Sequence, residues 1–206
     1  METKKMSEKV ECRSGRLVLI TGGVRSGKSS FAENLAVQSG KKVIYLATAR
    51  VEDDEMRKRV DRHQRRRPGD MQTIEEPLEP HLAIEEKSSS NTLILVDCLT
   101  LLLSNRILAD LDRHGAVRQG EDIFADEQLL EAAAERTLDY IQLFVETINS
   151  CLAEVLVVTN EVGMGVVPNY PVGRVFRDLS GRANQVLAAQ ADQVWMVVCG
   201  IPQRFK

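Results

Sequence analysis

Short, continuous apolar runs alternate along this chain with longer stretches of mixed polarity. Arg16-Leu17-Val18-Leu19-Ile20-Thr21 is bounded by Gly15 and Gly22-Gly23, which predicts a strand buried on both faces. Val43–Ala47, Thr92–Val96, Val155–Thr159 and, last, Val194–Cys199 read the same way. Between them the spacing predicts helices over Ser29–Gln38, with Phe31, Leu35 and Ala36 on one side, over Asp53 to about Arg66, closed by Pro68-Gly69, and over Leu99–Leu111. Two more are predicted over Glu127–Ala153 and Arg174–Asp192. Glu127–Ala153 is the clearest, with Leu130, Ala134, Leu138, Ile141, Val145, Ile148 and Leu152 at three- and four-residue steps. Residues 74–91, acidic and then Ser-rich, predict a solvated short helix and connection, and Arg113–Asp126 and Asn160–Gly173 predict loops. Unbroken apolar strands alternating with helices predict an α/β domain, a parallel sheet covered by helices on both faces.

Length and composition narrow this further. The 206 residues suit one domain, expected over 16–206 behind a polar tail at 1–15. With 43% hydrophobic and 28% charged residues, the chain has the balance of a globular protein able to bury a core. A net charge of −3 gives no reason to expect a nucleic-acid partner. No apolar run approaches the ~18 residues of a membrane span, and Met1–Gly15 lacks a secretory apolar stretch; a cytoplasmic location is expected. Cys12, Cys98, Cys151 and Cys199 form no C-x-x-C pair, and the last three sit in apolar surroundings, which predicts small core residues.

The chemistry begins at Gly22-Gly23-Val24-Arg25-Ser26-Gly27-Lys28-Ser29, which fits G-x-x-x-x-G-K-[ST] between a predicted strand and a predicted helix. Glycines let the backbone curl so that successive N–H groups surround phosphate oxygens, and the helix that follows adds its free N–H groups and positive end. Lys28 can bridge β- and γ-phosphates, and the Ser29 hydroxyl can ligate Mg²⁺. Asp97, directly after the Thr92–Val96 run, is a second candidate Mg²⁺ ligand at the end of a neighbouring strand; a helix N-cap is the plainer role for it. Nucleoside triphosphate binding follows.

A second feature is the basic stretch. Seven of the eleven residues from Arg57 to Arg67 are Lys or Arg, in a chain that is acidic overall. Part of this suits a helix dipole, with Asp53, Asp54 and Glu55 in the first turn. His63 lies within that positive field, which disfavours a protonated imidazole and keeps the ring available as a nucleophile toward phosphorus. A solvated histidine on a basic surface helix is the alternative. His81 and His114 read as ordinary surface residues.

Several segments together resemble one family, the bifunctional adenosylcobinamide kinase/adenosylcobinamide-phosphate guanylyltransferases of cobalamin biosynthesis. They are Ile20–Ser29, Tyr45-Leu46-Ala47-Thr48-Ala49, Asp54-Glu55-Met56 leading to Arg62-His63 and Arg67-Pro68, and Val96-Asp97-Cys98-Leu99-Thr100 with Ser104-Asn105. Val158–Pro168, Phe176-Arg177-Asp178 and Gly181–Gln185 complete them, so that the likeness runs from about residue 17 to 202. The resemblance implies a P-loop NTPase fold of the RecA-like kind. It implies phosphorylation of adenosylcobinamide by ATP or GTP, then transfer of GMP from GTP, giving adenosylcobinamide-GDP and pyrophosphate. It implies His63 as the residue that carries GMP and Lys28 as its catalytic companion. Nucleotide contacts are implied at Gly22, Gly23, Val24, Arg25, Ser26, Gly27, Lys28 and Ser29, at Thr48, Ala49 and Arg50, at Gln64, Arg65, Arg66 and Arg67, and at Glu75 and Asp97. Mg²⁺ is the implied cofactor, a homo-oligomer (a trimer in the family) the implied assembly. Where relatives often carry Trp after the Arg-Pro pair, this chain has Met71. The corrinoid is expected on the Asn160–Gly173 loop and the Arg174–Gln185 helix. A P-loop kinase of another small molecule without guanylyl transfer, and a RecA-like ATPase or binding module, are the alternatives; the scarcity of aromatics, 4%, speaks against a single-strand-binding motor.

Overall fold

The computed structural model describes residues 17–50, 71–114 and 126–206. Each predicted apolar run is a strand: β1 Leu17–Gly22, β2 Lys42–Ala47, β4 Thr92–Asp97, β5 Glu154–Val158 and β6 Gln193–Val198. Two further strands were not legible in the pattern, β3 Gln72–Glu75 and β7 Ile201–Arg204. Both are four-residue edge strands, where one side needs no cover and polar residues or a proline such as Pro202 are tolerated. Val194–Cys199 is therefore not the last strand, as the apolar pattern predicts.

The seven strands form one sheet in the order β3-β2-β4-β5-β1-β6-β7, parallel except for the final antiparallel β6–β7 hairpin. With β5 and β4 between β1 and β2, the sheet carries the expected RecA-like P-loop arrangement. The helices are α1 Lys28–Gln38, α2 Pro80–Lys87, α3 Leu99–Arg113, α4 Glu127–Ser150 and α5 Pro171–Gln190, with a short 3₁₀ turn at Val162–Met164. The helix and histidine predicted at Asp53–Arg66, the tail at 1–15 with Cys12, and the Gly-bearing part of the loop at 113–126 lie outside the described residues.

The side-chain alternation of β1 divides the core. Leu17 and Leu19 join the cluster built with α2, α3, α4 and α5, which includes Ile84, Leu102, Ile107, Leu130, Ile141, Phe144 and Leu187. Val18 and Ile20 face the other way, onto Ala32, Leu35 and Ala36 of α1 and Trp195 of β6. Phe31 packs tilted on Trp195 at 5.3 Å between ring centroids. Met71 covers this second face, so the residue that stands where relatives carry Trp does apolar work. Burial on both faces explains why these strands read as continuous apolar runs.

Three expectations change. Helix α4 ends at Ser150 with Cys151 as its cap, and Leu152 is exposed rather than on the apolar stripe. Cys98 and Cys151 are buried as expected, but Cys199 is exposed in the β6–β7 turn at φ 52°; an apolar neighbourhood in sequence does not bury a residue at a tight turn. His81 is half-buried rather than a plain surface residue. Its Nδ1 lies 2.9 Å from the Tyr140 hydroxyl, and Arg106 stacks over the other ring. His114 is exposed, as expected.

Candidate active site

Every strand from β1 to β5 runs the same way, so Gly22, Ala47, Glu75, Asp97 and Val158 all lie at one edge of the sheet. Residues 23–27 leave β1 there and turn into α1. Arg25 at φ 58° and Gly27 at φ 98° are left-handed, and the Ser26 N–H donates to Gly23 O, so the loop curls as a phosphate cradle must. Its outer side rests on the β6–β7 turn: the Gly200 N–H donates to Ser26 O at 2.8 Å. Lys28 is nearly buried, and its Nζ donates across the loop to Gly23 O at 3.0 Å. The Ser26 hydroxyl is buried and without a hydrogen-bond partner among the described residues, an unmet group suited to a ligand oxygen.

Gly22 is the position where the backbone leaves no alternative. Its φ is 152°, and a Cβ there would lie 2.5 Å from Val197 O and 2.7 Å from Ser26 Oγ. Gly22→Ala is expected to cost about 1–3 kcal/mol of stability and to weaken nucleotide binding by distorting the loop. Thermal melts with and without GTP check this; an unchanged midpoint with unchanged stabilisation by GTP would contradict it.

Asp97 ends β4, with β5 between it and the P-loop strand rather than beside it. Its Oδ2 accepts a 2.6 Å hydrogen bond from the Tyr45 hydroxyl. It is not the N-cap of α3: Cys98 holds that position, and no side chain caps it. The Asp97–Cys98 peptide is cis. Ser29, in the first turn of α1, and Asp97 offer hydroxyl and carboxylate oxygen, the hard donors Mg²⁺ prefers, and α1 packs on β4.

The strand ends are braced by a chain of buried hydrogen bonds. Thr48 is fully buried; its hydroxyl donates to Cys98 O and accepts from Cys98 N, its N–H donates to Asp97 O, and its carbonyl accepts from Asn105. Thr48 therefore holds β2 to β4. Burial and the neighbouring Asp97 push the Cys98 thiol up, so it stays protonated. Of the two adjacent acids, Glu76 is engaged, accepting from the N–H groups of Leu78 and Glu79, whereas Glu75 is exposed at the end of β3.

A polar cluster beyond β5 opens the Asn160–Gly173 segment, where the sequence places the corrinoid. The Glu161 N–H donates to Gly22 O, and its Oε1 accepts from the Thr21 hydroxyl at 2.8 Å and from Asn184 Nδ2 at 3.4 Å. Asn184 Oδ1 in turn accepts from Thr159, and Asn160 donates to the Thr100 hydroxyl. Helix α5 is thus fastened to the site by its polar face. The signal lay in the block of polar residues at Thr159-Asn160-Glu161, directly after an apolar strand. His63, Gln64, Arg65, Arg66 and Arg67 lie outside the described residues. The site residues that are described converge on this edge.

A family model described as cobinamide kinase / cobinamide phosphate guanyltransferase matches residues 18–205. The chain belongs to this family. It is similar to the bifunctional adenosylcobalamin biosynthesis proteins CobU of Salmonella typhimurium (40% identical, covering 92% of this chain and 99% of that protein) and of Escherichia coli (39%, with the same coverage). It is also similar to CobP of Pseudomonas aeruginosa, 36% identical over 91% of this chain and 96% of that protein. Among solved structures it is similar to the flagellar accessory protein FlaH of Methanocaldococcus jannaschii. That likeness has 13% identity, 87% of this chain, 70% of the other and a TM-score of 0.41. The family match spans both the cradle and the polar cluster at Glu161. Among the described residues, no helix is long and apolar enough to cross a membrane.

Proposed function

We propose that this chain phosphorylates the aminopropanol hydroxyl of adenosylcobinamide with ATP or GTP, and then moves GMP from GTP onto that phosphate through a guanylyl-histidine at His63. The observation that carries the reading is a kinase/guanyltransferase family match along nearly the whole chain, on a fold that presents a formed phosphate cradle.

Both steps are substitutions at phosphorus, in which a protein contributes alignment and charge neutralisation. The loop Gly22–Ser29 holds the triphosphate by its N–H groups, and Lys28 neutralises charge on the transferred group. In guanylyl transfer the attack falls on the α-phosphorus and pyrophosphate leaves; the same cradle suits that leaving group, with Arg62, Arg65 and Arg66 as helpers beside His63. Ser29 and Asp97 would hold Mg²⁺, which when bound neutralises phosphate oxygens and fixes their orientation. Ala49, Arg50, Gln64, Arg67 and Glu75 are assigned to the nucleotide. The corrinoid is assigned to the rim formed by 160–173 and α5, where Met164, Val166, Val167 and Tyr170 are exposed and offer apolar surface to a macrocycle. The site is read as cytoplasmic and the enzyme as a homo-oligomer.

The test supplies adenosylcobinamide, Mg²⁺ and γ-labelled ATP, then unlabelled GTP. Label on the corrinoid, followed by its conversion to the GDP form with release of pyrophosphate, is the expected result. Phosphorylated corrinoid without pyrophosphate would leave a kinase alone, and hydrolysis without corrinoid modification an ATPase.

A further inference from the structure

Phosphorylating an alcohol leaves one proton to be removed, and neither the cradle nor the Ser29 and Asp97 pair assigned to Mg²⁺ accounts for it. Four described carboxylates stand at the reactive edge of the sheet, and one of them, Glu76, is taken up by the N–H groups of Leu78 and Glu79. Glu75 ends the outermost strand, β3. Asp97 is held by Tyr45 and assigned to the metal. Glu161 follows β5, the strand hydrogen-bonded to β1, and its own N–H is bonded to the first residue of the cradle, Gly22.

The fastening of Glu161 is one-sided. Thr21 and Asn184 both donate to Oε1. Asn184 cannot turn over, because its Oδ1 accepts from the Thr159 hydroxyl while its Nδ2 also donates to Asn160 O. One oxygen is thereby fixed from two sides, and Oε2 has no hydrogen-bond partner among the described residues. Glu161 is partly exposed at the sheet edge that carries the cradle. A carboxylate that served only to close the turn would need no uncommitted oxygen. An anion beside a polyphosphate cradle is unfavourable by charge alone, and its presence is explained where it takes up a proton.

We propose that Glu161 is the general base of the phosphoryl-transfer step. Oε2 accepts the proton of the acceptor alcohol as the alcohol oxygen bonds to the γ-phosphorus and the bond from that phosphorus to the β,γ-bridging oxygen breaks. The nucleoside diphosphate leaves, and protonated Glu161 returns its proton to water. Thr21 and Asn184 are positioning residues that hold the carboxylate. The proposal rests on the kinase reading above. It gives the two chemistries separate groups, because guanylylation of a histidine consumes no alcohol proton.

Glu161→Gln keeps the shape and can still accept at Oε1, but it cannot take the proton. With ATP and corrinoid, its kinase kcat is expected to fall about 10²-fold, with KM for ATP within about threefold of wild type. Its melting temperature should hold, and so should protein labelling from α-labelled GTP. Glu161→Asp, which keeps the base but draws it back by one methylene, should recover part of the lost rate. An unchanged kinase kcat in Glu161→Gln would overturn the proposal, as would parallel loss of kinase and guanylylation or a KM effect without a kcat effect. Wild-type protein lacking both activities would instead remove the reading beneath it, a result recognisable before any variant is made.

Discussion

Replacing His63 with alanine is expected to abolish guanylyl transfer, by ~10⁴-fold or more, while phosphorylation of the corrinoid by ATP continues at a measurable rate. The expectation comes from what each step needs. Guanylylation as a double displacement requires a nucleophile that attacks the α-phosphorus, holds GMP as a phosphoramidate and releases it to the acceptor phosphate. Neither described histidine is placed for this: His81 is bonded to Tyr140 and His114 stands at the far end of α3. Phosphoryl transfer requires the cradle, the acceptor alcohol and a base, none of which is His63. Two assays on one preparation decide it, corrinoid phosphate from ATP and pyrophosphate from GTP. Equal loss of both products would show that the division of labour between His63 and the cradle is wrong.

Lys28→Ala is expected to damage both steps, by roughly 10²–10³-fold each, the range for removing one preorganised donor to a developing charge. Lys28 is nearly buried, and its ammonium group lies across the loop on Gly23 O. On the proposed reading the triphosphate enters here, whichever phosphorus is attacked. In the kinase step it offsets charge on the moving γ-group, and in the guanylyl step on the departing pyrophosphate. A melt separates this from collapse of the loop, since the backbone curl is set by Arg25 and Gly27 and by the Gly200 contact. Normal guanylyl transfer beside a lost kinase rate would contradict a shared cradle.

The parts of this molecule that were legible in its sequence are those where one physical demand dominates. Strands β1, β2, β4 and β5 are buried on both faces, so each needs unbroken apolar residues and announces itself. The phosphate cradle needs glycine at Gly22 and Gly27 and a lysine at a set distance, which makes it readable from spacing alone. The edge strands β3 and β7 carry no such demand, and Gln72–Glu75 and Ile201–Arg204 read as connections. Cys199 went the other way, because apolar neighbours along the chain do not report that a hairpin turn projects it outward. At the site, Thr48 and Glu161 mark the limit of spacing arguments. Thr48 lies in the expected segment, yet its polar groups join strands. Glu161 gains its meaning from Thr21 and Asn184, residues 140 and 23 positions away, which only the folded sheet brings together.

The most direct test of the central claim is whether the protein itself becomes guanylylated. Wild-type chain and His63→Ala would be incubated with Mg²⁺ and α-³²P-GTP without corrinoid, denatured, and treated with acid or base. Label that stays on the denatured wild type, survives base, is released by acid and is missing from His63→Ala is the predicted result. Absence of label under conditions where pyrophosphate has been removed, or equal label on His63→Ala, would contradict the account and leave the cradle serving a kinase or ATPase alone.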